Sequence, residues 1–276
     1  MSPTGRDRTR ARARHAARSR YRDLREQAFA ANREIPRQGL AIYTFGNASA
    51  FDPGLGAMAI KPSGVAYAEM RSRDMVVVDL EGKVVEGSLR PSSDTRTHLV
   101  LYRAFRGVGG IAHTHSTHAT GWAQAGLPIP IYGTTHADHL AEDVPCTAVM
   151  SAGAVERDYE TETGNQILEC FRSRDPLHVP MVLVAGHGPF TWGVSAAAAV
   201  YHAAVLEQLA HMAFVTRSLA PGASRLPEHL VRKHYERKHG THATYGQAGP
   251  GGTGSSSRDL EGKHGKRTSE ARTNQE

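Results

Sequence analysis

The sequence predicts an α/β protein: one three-layer α/β/α domain around a mixed, largely antiparallel central sheet. Three observations carry this. Short β-prone runs crowd the first half of the chain and are joined by turns, not by crossover helices, which favours antiparallel pairing. Segments with helical periodicity open the chain and fill its second half, enough to cover both faces of a sheet. No long linker and no internal repeat interrupts residues 21–247, which therefore read as a single domain.

Taken in order, an opening helix covers about 21–33 and is expected to stop before Pro36, because the residue preceding a proline resists the helical region. Strand candidates follow at AIYTF (41–45), MAIK (58–61), MVVVDL (75–80) and KVVEG (83–87). Ser92, Ser93 and Asp94 form a helix-start signature for a helix running through Leu99 to Phe105. GGIAHTH (109–115) reads as a strand, HATGWAQAG (118–126) as a short helix, and VPCTAVM (144–150) as another extended run. Residues 155–174 are helical, MVLVAG (181–186) is a buried strand, and 195–219 and 227–240 are the last two helices.

Composition bounds the function. Of 276 residues, 39% are hydrophobic and 22% charged, ordinary for a globular protein with a sizeable core. No apolar run approaches the roughly eighteen residues a membrane span needs, and the N-terminus lacks the apolar segment of a secretory signal. Two cysteines are too few for a disulfide framework, so a cytoplasmic location is expected. Residues 1–26 hold nine arginines against Asp7, Asp23 and Glu26, a balance equal to the whole chain's +6. The basic character therefore belongs to an arm (1–20), read as a disordered extension; a Gly/Ser-rich, charged tail (248–276) reads the same way. An arginine arm can touch a polyanion, but no aromatic or motif accompanies it, and no nucleic-acid partner is expected.

Histidines mark a metal site. His113 and His115 are two apart on a strand and so project to one side. His187, in Gly-His-Gly-Pro, follows a buried strand, and Asp94 opens a helix. Three imidazoles and a carboxylate suit Zn2+, with Mn2+ or Co2+ as further options. The chain spends histidine freely, and His118, His136, His139 and His202 need not be ligands. Gly46-Asn47, Lys61-Pro62-Ser63-Gly64 and Ser92-Ser93 each combine glycine or serine with short donors, the equipment of a phosphate cradle, and Lys61 would add a charge.

TFGNASA, IKPSGV, PSSDTRTHLVLYRAF, GGIAHTHSTHATGWAQAG, GTTHAD, YETETGN, GHGPFTWG and RKHYERKHGTHATYGQ together resemble the L-ribulose-5-phosphate 4-epimerases of the class II aldolase superfamily, collinearly from about residue 23 to 247. The resemblance implies homotetramers. It also implies epimerisation by retro-aldol cleavage of C3–C4, rotation of the aldehyde and re-addition. Asp94, His113, His115 and His187 match metal ligands; Gly46, Asn47, Ser63, Gly64, Ser92 and Ser93 match substrate and phosphate contacts, and Lys61 matches a lysine there. Asp138 and Tyr245 match an acid/base pair shared across a subunit boundary, and Thr134, Glu160, His234 and Arg237 lie near the site. Gly186 departs from the pattern, standing where serine is more usual. The nearest alternative is a sugar-phosphate aldolase that releases the aldehyde; Asp94 in place of glutamate, together with GTTHAD, favours the epimerase. The pathway served, arabinose use or another route through the same pentulose phosphate, stays open.

Overall fold

The computed structural model describes residues 19–241 and 243. The chain enters through helix α1 (Arg22–Arg37), whose buried Leu24, Ala28, Ala31, Asn32 and Ile35 recur at helical spacing. The helix does not stop before Pro36 as expected. Pro36 falls in its last turn, where the missing N–H forfeits one bond, and the turn is closed beyond it by Gln38 N–H to Glu34 O and Leu40 N–H to Ile35 O, each 3.0 Å.

Residues 41–45 form no strand. Tyr43 has a φ of 51°, and Phe45 N–H closes a turn on Ile42 O. The first strand is β1 (Asn47–Asp52), in a stretch that composition left unmarked. Its inward residues are small because α1 lies close against it. The Asn32 carboxamide bonds to both Ala48 N–H and Ala48 O, at 2.8 and 2.7 Å, tying helix to strand. Strands β2 (Ala57–Ile60), β3 (Val76–Asp79) and β4 (Val84–Glu86) follow as a meander. After α2 (Thr95–Ala104), strand β5 (Gly110–His113) returns to the free edge of β1.

The rest of the chain supplies α3 (Thr117–Gln124), the four-residue α4 (Thr134–Ala137), α5 (Ala152–Cys170), β6 (Met181–Val184), β7 (Gly188–Gly193), α6 (Ala196–Leu219) and α7 (Glu228–His239). Neither α4 nor β7 was expected. Residues 144–150 are not a strand: they make only isolated bridges, Ile129 to Val144 and Cys146 to Leu183. The sheet order is β4-β3-β2-β1-β5-β7-β6, and its strand pairs are antiparallel.

Alternation sorts the sheet into two faces. Ala48, Ala50, Ala57, Ala59, Val77 and Ala112 meet α1 and the first half of α6. Met58, Ile60, Val76, Val78, Ile111, Phe190 and Trp192 meet α2, α3, α5 and the second half of α6. A β-carbon on Gly110 would stand 2.2 Å from Ala196 N, so only glycine lets α6 start flush on β5. This packing places the end of β5 beside the start of β7, with His113 opposite Phe190.

Candidate metal centre

His113, His115 and His187 each offer a ring nitrogen such that all three lie within 4.8 Å of one another. The strand pairing brings them together. His113 closes β5, His115 follows two residues on, and His187 immediately precedes β7. Ring centroids are 4.7 Å apart for His113–His115 and His113–His187, and 5.2 Å for His115–His187. His113 is fully buried, stacked on Phe190 at 4.2 Å, and its Nδ1 donates to Pro189 O at 2.9 Å. That bond fixes the tautomer and leaves the Nε2 lone pair facing His115 Nε2, 3.0 Å away. Burial lowers the pKa of all three imidazoles, that of His113 to about 3. They are therefore neutral near pH 7, the form that binds metal. Three converging neutral nitrogens fit a borderline divalent ion.

Asp94 lies outside that compact group, although its charge is felt at His113 and His187. Its Oδ2 accepts a 2.6 Å bond from Asn47 Nδ2, which holds the carboxylate at the rim. Burial works against its charge, but His113, His98 and the Asn47 bond outweigh burial and keep the carboxyl below its ordinary value. Three nitrogens with a carboxylate at the rim resemble a catalytic zinc site, which has three protein ligands and an open position. Below it lies a buried chain that the sequence did not announce: His98 Nδ1 to Ser49 Oγ and Ser49 Oγ to Tyr102 Oη, both 2.7 Å. His118 and His202 are engaged elsewhere, with Glu207 and with Trp192 O.

Of the residues matched to substrate contacts, Asn47 bonds to Asp94 and Gly46 lies against His113. Gly46 has a φ of 72°, and a β-carbon there would meet His113 O at 2.5 Å; backbone this close to a ligand strand admits only glycine. Lys61 is buried, with Nζ near Thr44 O and over the Tyr67 ring, and burial lowers its pKa against the pull of Asp94. Ser63 and Ser92 are drawn together through Ser63 N–H to Arg90 O and Ser92 N–H to Lys61 O. Gly64 has a φ of 72°. Ser92, Ser93 and Glu160 line a cavity of about 580 Å³ that Arg90 and Arg96 also border.

Asp138, His234 and Arg237 form a separate cluster where α4 meets α7. The carboxylate takes Arg237 Nε and Nη2 at 3.0 and 2.7 Å and His234 Nδ1 at 3.0 Å. Thr134 is exposed at the start of α4. Tyr245, like residues 1–18 of the arm expected over 1–20 and the tail over 248–276, lies outside the described residues.

The fold and the histidine centre define a class. The family model for the class II aldolase and adducin N-terminal domain matches residues 26–214, and the chain belongs to that family. Within it, the proteins named L-ribulose-5-phosphate 4-epimerase UlaF from Salmonella paratyphi A and Salmonella typhi are each 52% identical over 224 residues, covering 81% of this chain and 98% of theirs. An L-fuculose 1-phosphate aldolase structure superposes with a TM-score of 0.66 at 26% identity, covering 78% of this chain and 95% of its own. YgbL from Escherichia coli, titled a putative aldolase/epimerase/decarboxylase, shares the fold at a TM-score of 0.62 and 21% identity, covering 77% of this chain and 97% of its own.

Proposed function

We propose that the protein is an L-ribulose-5-phosphate 4-epimerase that interconverts L-ribulose 5-phosphate and D-xylulose 5-phosphate. The observation that carries this reading is the convergence of His113, His115 and His187 beside Asp94 and Asn47, in a chain 52% identical to proteins of that name. Inverting C4 by removing its proton would demand an extreme base, because no carbonyl is adjacent. Breaking C3–C4 is accessible, because C3 lies beside the C2 ketone. The three imidazoles, with Asp94 at their rim, would hold one Zn2+ per subunit, with Mn2+ or Co2+ able to substitute. That ion supplies electrophilic stabilisation of the negative charge developing on the ketone-side fragment.

The chain's own groups do the remainder. Gly46, Asn47, Ser63, Gly64, Ser92 and Ser93 would hold the substrate and its phosphate, with Lys61 contributing positive charge. Retention keeps the aldehyde fragment in place while its carbonyl turns over, so re-addition is effectively intramolecular. Asp138 and Tyr245 would exchange the C4 hydroxyl proton on opposite sides of the carbon. In this reading they reach the metal centre of a neighbouring subunit in a homotetramer, with Thr134, Glu160, His234 and Arg237 supporting them. The Arg237 fork bears on that role: it keeps Asp138 ionised but makes it a weak base, so proton uptake would require the fork to loosen. We further propose a single catalytic domain over 21–247 and a cytoplasmic setting; no described helix is long and apolar enough to cross a membrane.

The likeness to an L-fuculose 1-phosphate aldolase supplies the second reading, aldehyde release. Purified protein is incubated with L-ribulose 5-phosphate, and D-xylulose 5-phosphate, dihydroxyacetone and glycolaldehyde phosphate are followed together. Epimerisation predicts xylulose phosphate with little free fragment. Fragment release as fast as substrate is consumed would make the protein an aldolase.

A further inference from the structure

Among the described residues, His187 is the one member of the histidine group whose Nδ1 is bonded to a side chain. Tyr159 Oη lies 3.1 Å from it, whereas His113 Nδ1 is fixed by a backbone carbonyl. The tyrosine reaches this place through a break in α5. Asp158, at φ −173° and ψ 94°, leaves the helical region, so α5 is two helices end to end. The Asp158 carboxylate accepts Thr161 N–H at 3.2 Å and Thr161 Oγ1–H at 2.9 Å, capping the second helix at its N3 position. Tyr159 is the first residue of that restarted helix.

Helix α2, which begins just after Asp94, grips the restart from outside. Arg96 Nη1 donates to Asp158 Oδ2 at 3.0 Å, and Thr97 Oγ1 donates to Glu160 O at 2.6 Å. The chain neighbours of Tyr159 on both sides, Asp158 and Glu160, are thus held by the helix that starts just after Asp94.

We infer that Tyr159 is a positioning residue for His187, holding its Nδ1 so that Nε2 presents its lone pair to the ion. With Nδ1–H donating to the phenol oxygen, the neutral ring has its lone pair at Nε2, and the phenol's own proton turns to solvent. The break at Asp158, its cap on Thr161 and the Arg96 clamp exist in this scheme to aim one hydroxyl. The inference rests on the metal reading given above.

The test uses zinc alone with the full-length metal-free protein, by competition against a chromophoric chelator at fixed pH, alongside the thermal midpoint of the zinc-free form. Tyr159→Phe keeps the ring and removes only the hydroxyl. It should weaken zinc binding about tenfold to a hundredfold and leave the zinc-free midpoint unchanged. Arg96→Ala should weaken binding less, and add little to Tyr159→Phe, because both act through one bond. Unchanged zinc affinity with reduced turnover in Tyr159→Phe would overturn the assignment and move the tyrosine's role to the substrate. A zinc-free midpoint that falls in step with affinity would reduce it to a packing residue. Wild-type protein that binds no zinc would remove the metal reading itself, a result distinct from either.

Discussion

Arg237 grips Asp138 through both carboxylate oxygens across 99 positions of sequence, with Nε on Oδ1 and Nη2 on Oδ2. Paired planar contacts of this kind are the strong form of ion pair. Together with Val231 packed on Ile131 and Ala137, the pair fastens α7 to the segment around α4. Arg237→Ala would leave a largely enclosed carboxylate with, among the described residues, only His234 and the more distant Lys238 as side-chain partners. A loss of about 1–3 kcal/mol is expected, read as a lowered thermal midpoint and faster hydrogen exchange along α7. Unchanged exchange there would show that the fork does not fasten the helix.

Acid should act at the same place. Burial works to raise the Asp138 carboxyl, but the bonds from Arg237 and His234 outweigh it and hold the group below its ordinary 3.8. A carboxyl depressed on folding contributes stability that is fully present above the unfolded value and disappears as pH falls through the folded value. The contribution should therefore be intact at neutral pH and vanish below about pH 4. Asp138→Asn should be less stable than wild type at neutral pH and converge on it in acid. Parallel stability curves would contradict this.

Metal removal should silence turnover without unfolding the chain, since the core is apolar and extensive. Treatment with a chelator should abolish activity, and His115→Ala should do the same while leaving the circular dichroism spectrum unchanged. His115 is the solvent-exposed member of the three, so its loss disturbs packing least. Full activity in chelator-stripped protein would refute the metal mechanism.

Ser92 and Ser93 should govern the fate of the cleaved fragment. Alanine at either position removes a donor to a charged group, a loss of about 1.5–3 kcal/mol. Weakened retention should convert some turnovers into leaks of dihydroxyacetone and glycolaldehyde phosphate, measured beside xylulose phosphate. Loss of all turnover with no leak would assign the serines another role.

Shared sites predict complementation. Chains carrying Tyr245→Phe, mixed with chains carrying His113→Ala, should recover part of the activity that neither has alone. Hybrids shown to form yet wholly inactive would place each site within one subunit.

Much of the fold was legible because its signals were local. MAIK, MVVVDL and MVLVAG are apolar enough to read as strands, and the alanine-rich stretch from 195 could only be a helix. Strand β1 hid because its inward residues are alanines, shaped by the nearness of α1 and not by strand preference. Strand β7 hid behind Gly, Pro and Gly; its strand character comes from the neighbours that flank it, β5 and β6. AIYTF misled in the other direction, with Ile42, Tyr43 and Phe45 turned outward and only Ala41 of its apolar residues buried.

The site divides in the same way. The spacing of His113 and His115 is a strand periodicity and was visible as such. Asn47 on Asp94, Tyr159 on His187 and Arg237 on Asp138 join residues 47, 28 and 99 positions apart, and no local pattern records those meetings. The resemblance placed Asp94 among the ligands; the structure adds that Asn47 holds its carboxylate.

Because His113 ends β5 and His187 opens onto β7, these two imidazoles hang from strands bonded directly to each other. Residues 116–180, with α3, α4 and the whole of α5, form a long excursion between those anchor points. Within that excursion Tyr159 bonds to His187, whereas the stretch 127–150 carries none of the three imidazoles. The sheet itself thus sets the positions of His113 and His187. A library confined to 127–150 is thus the place to look for altered substrate scope with metal binding retained.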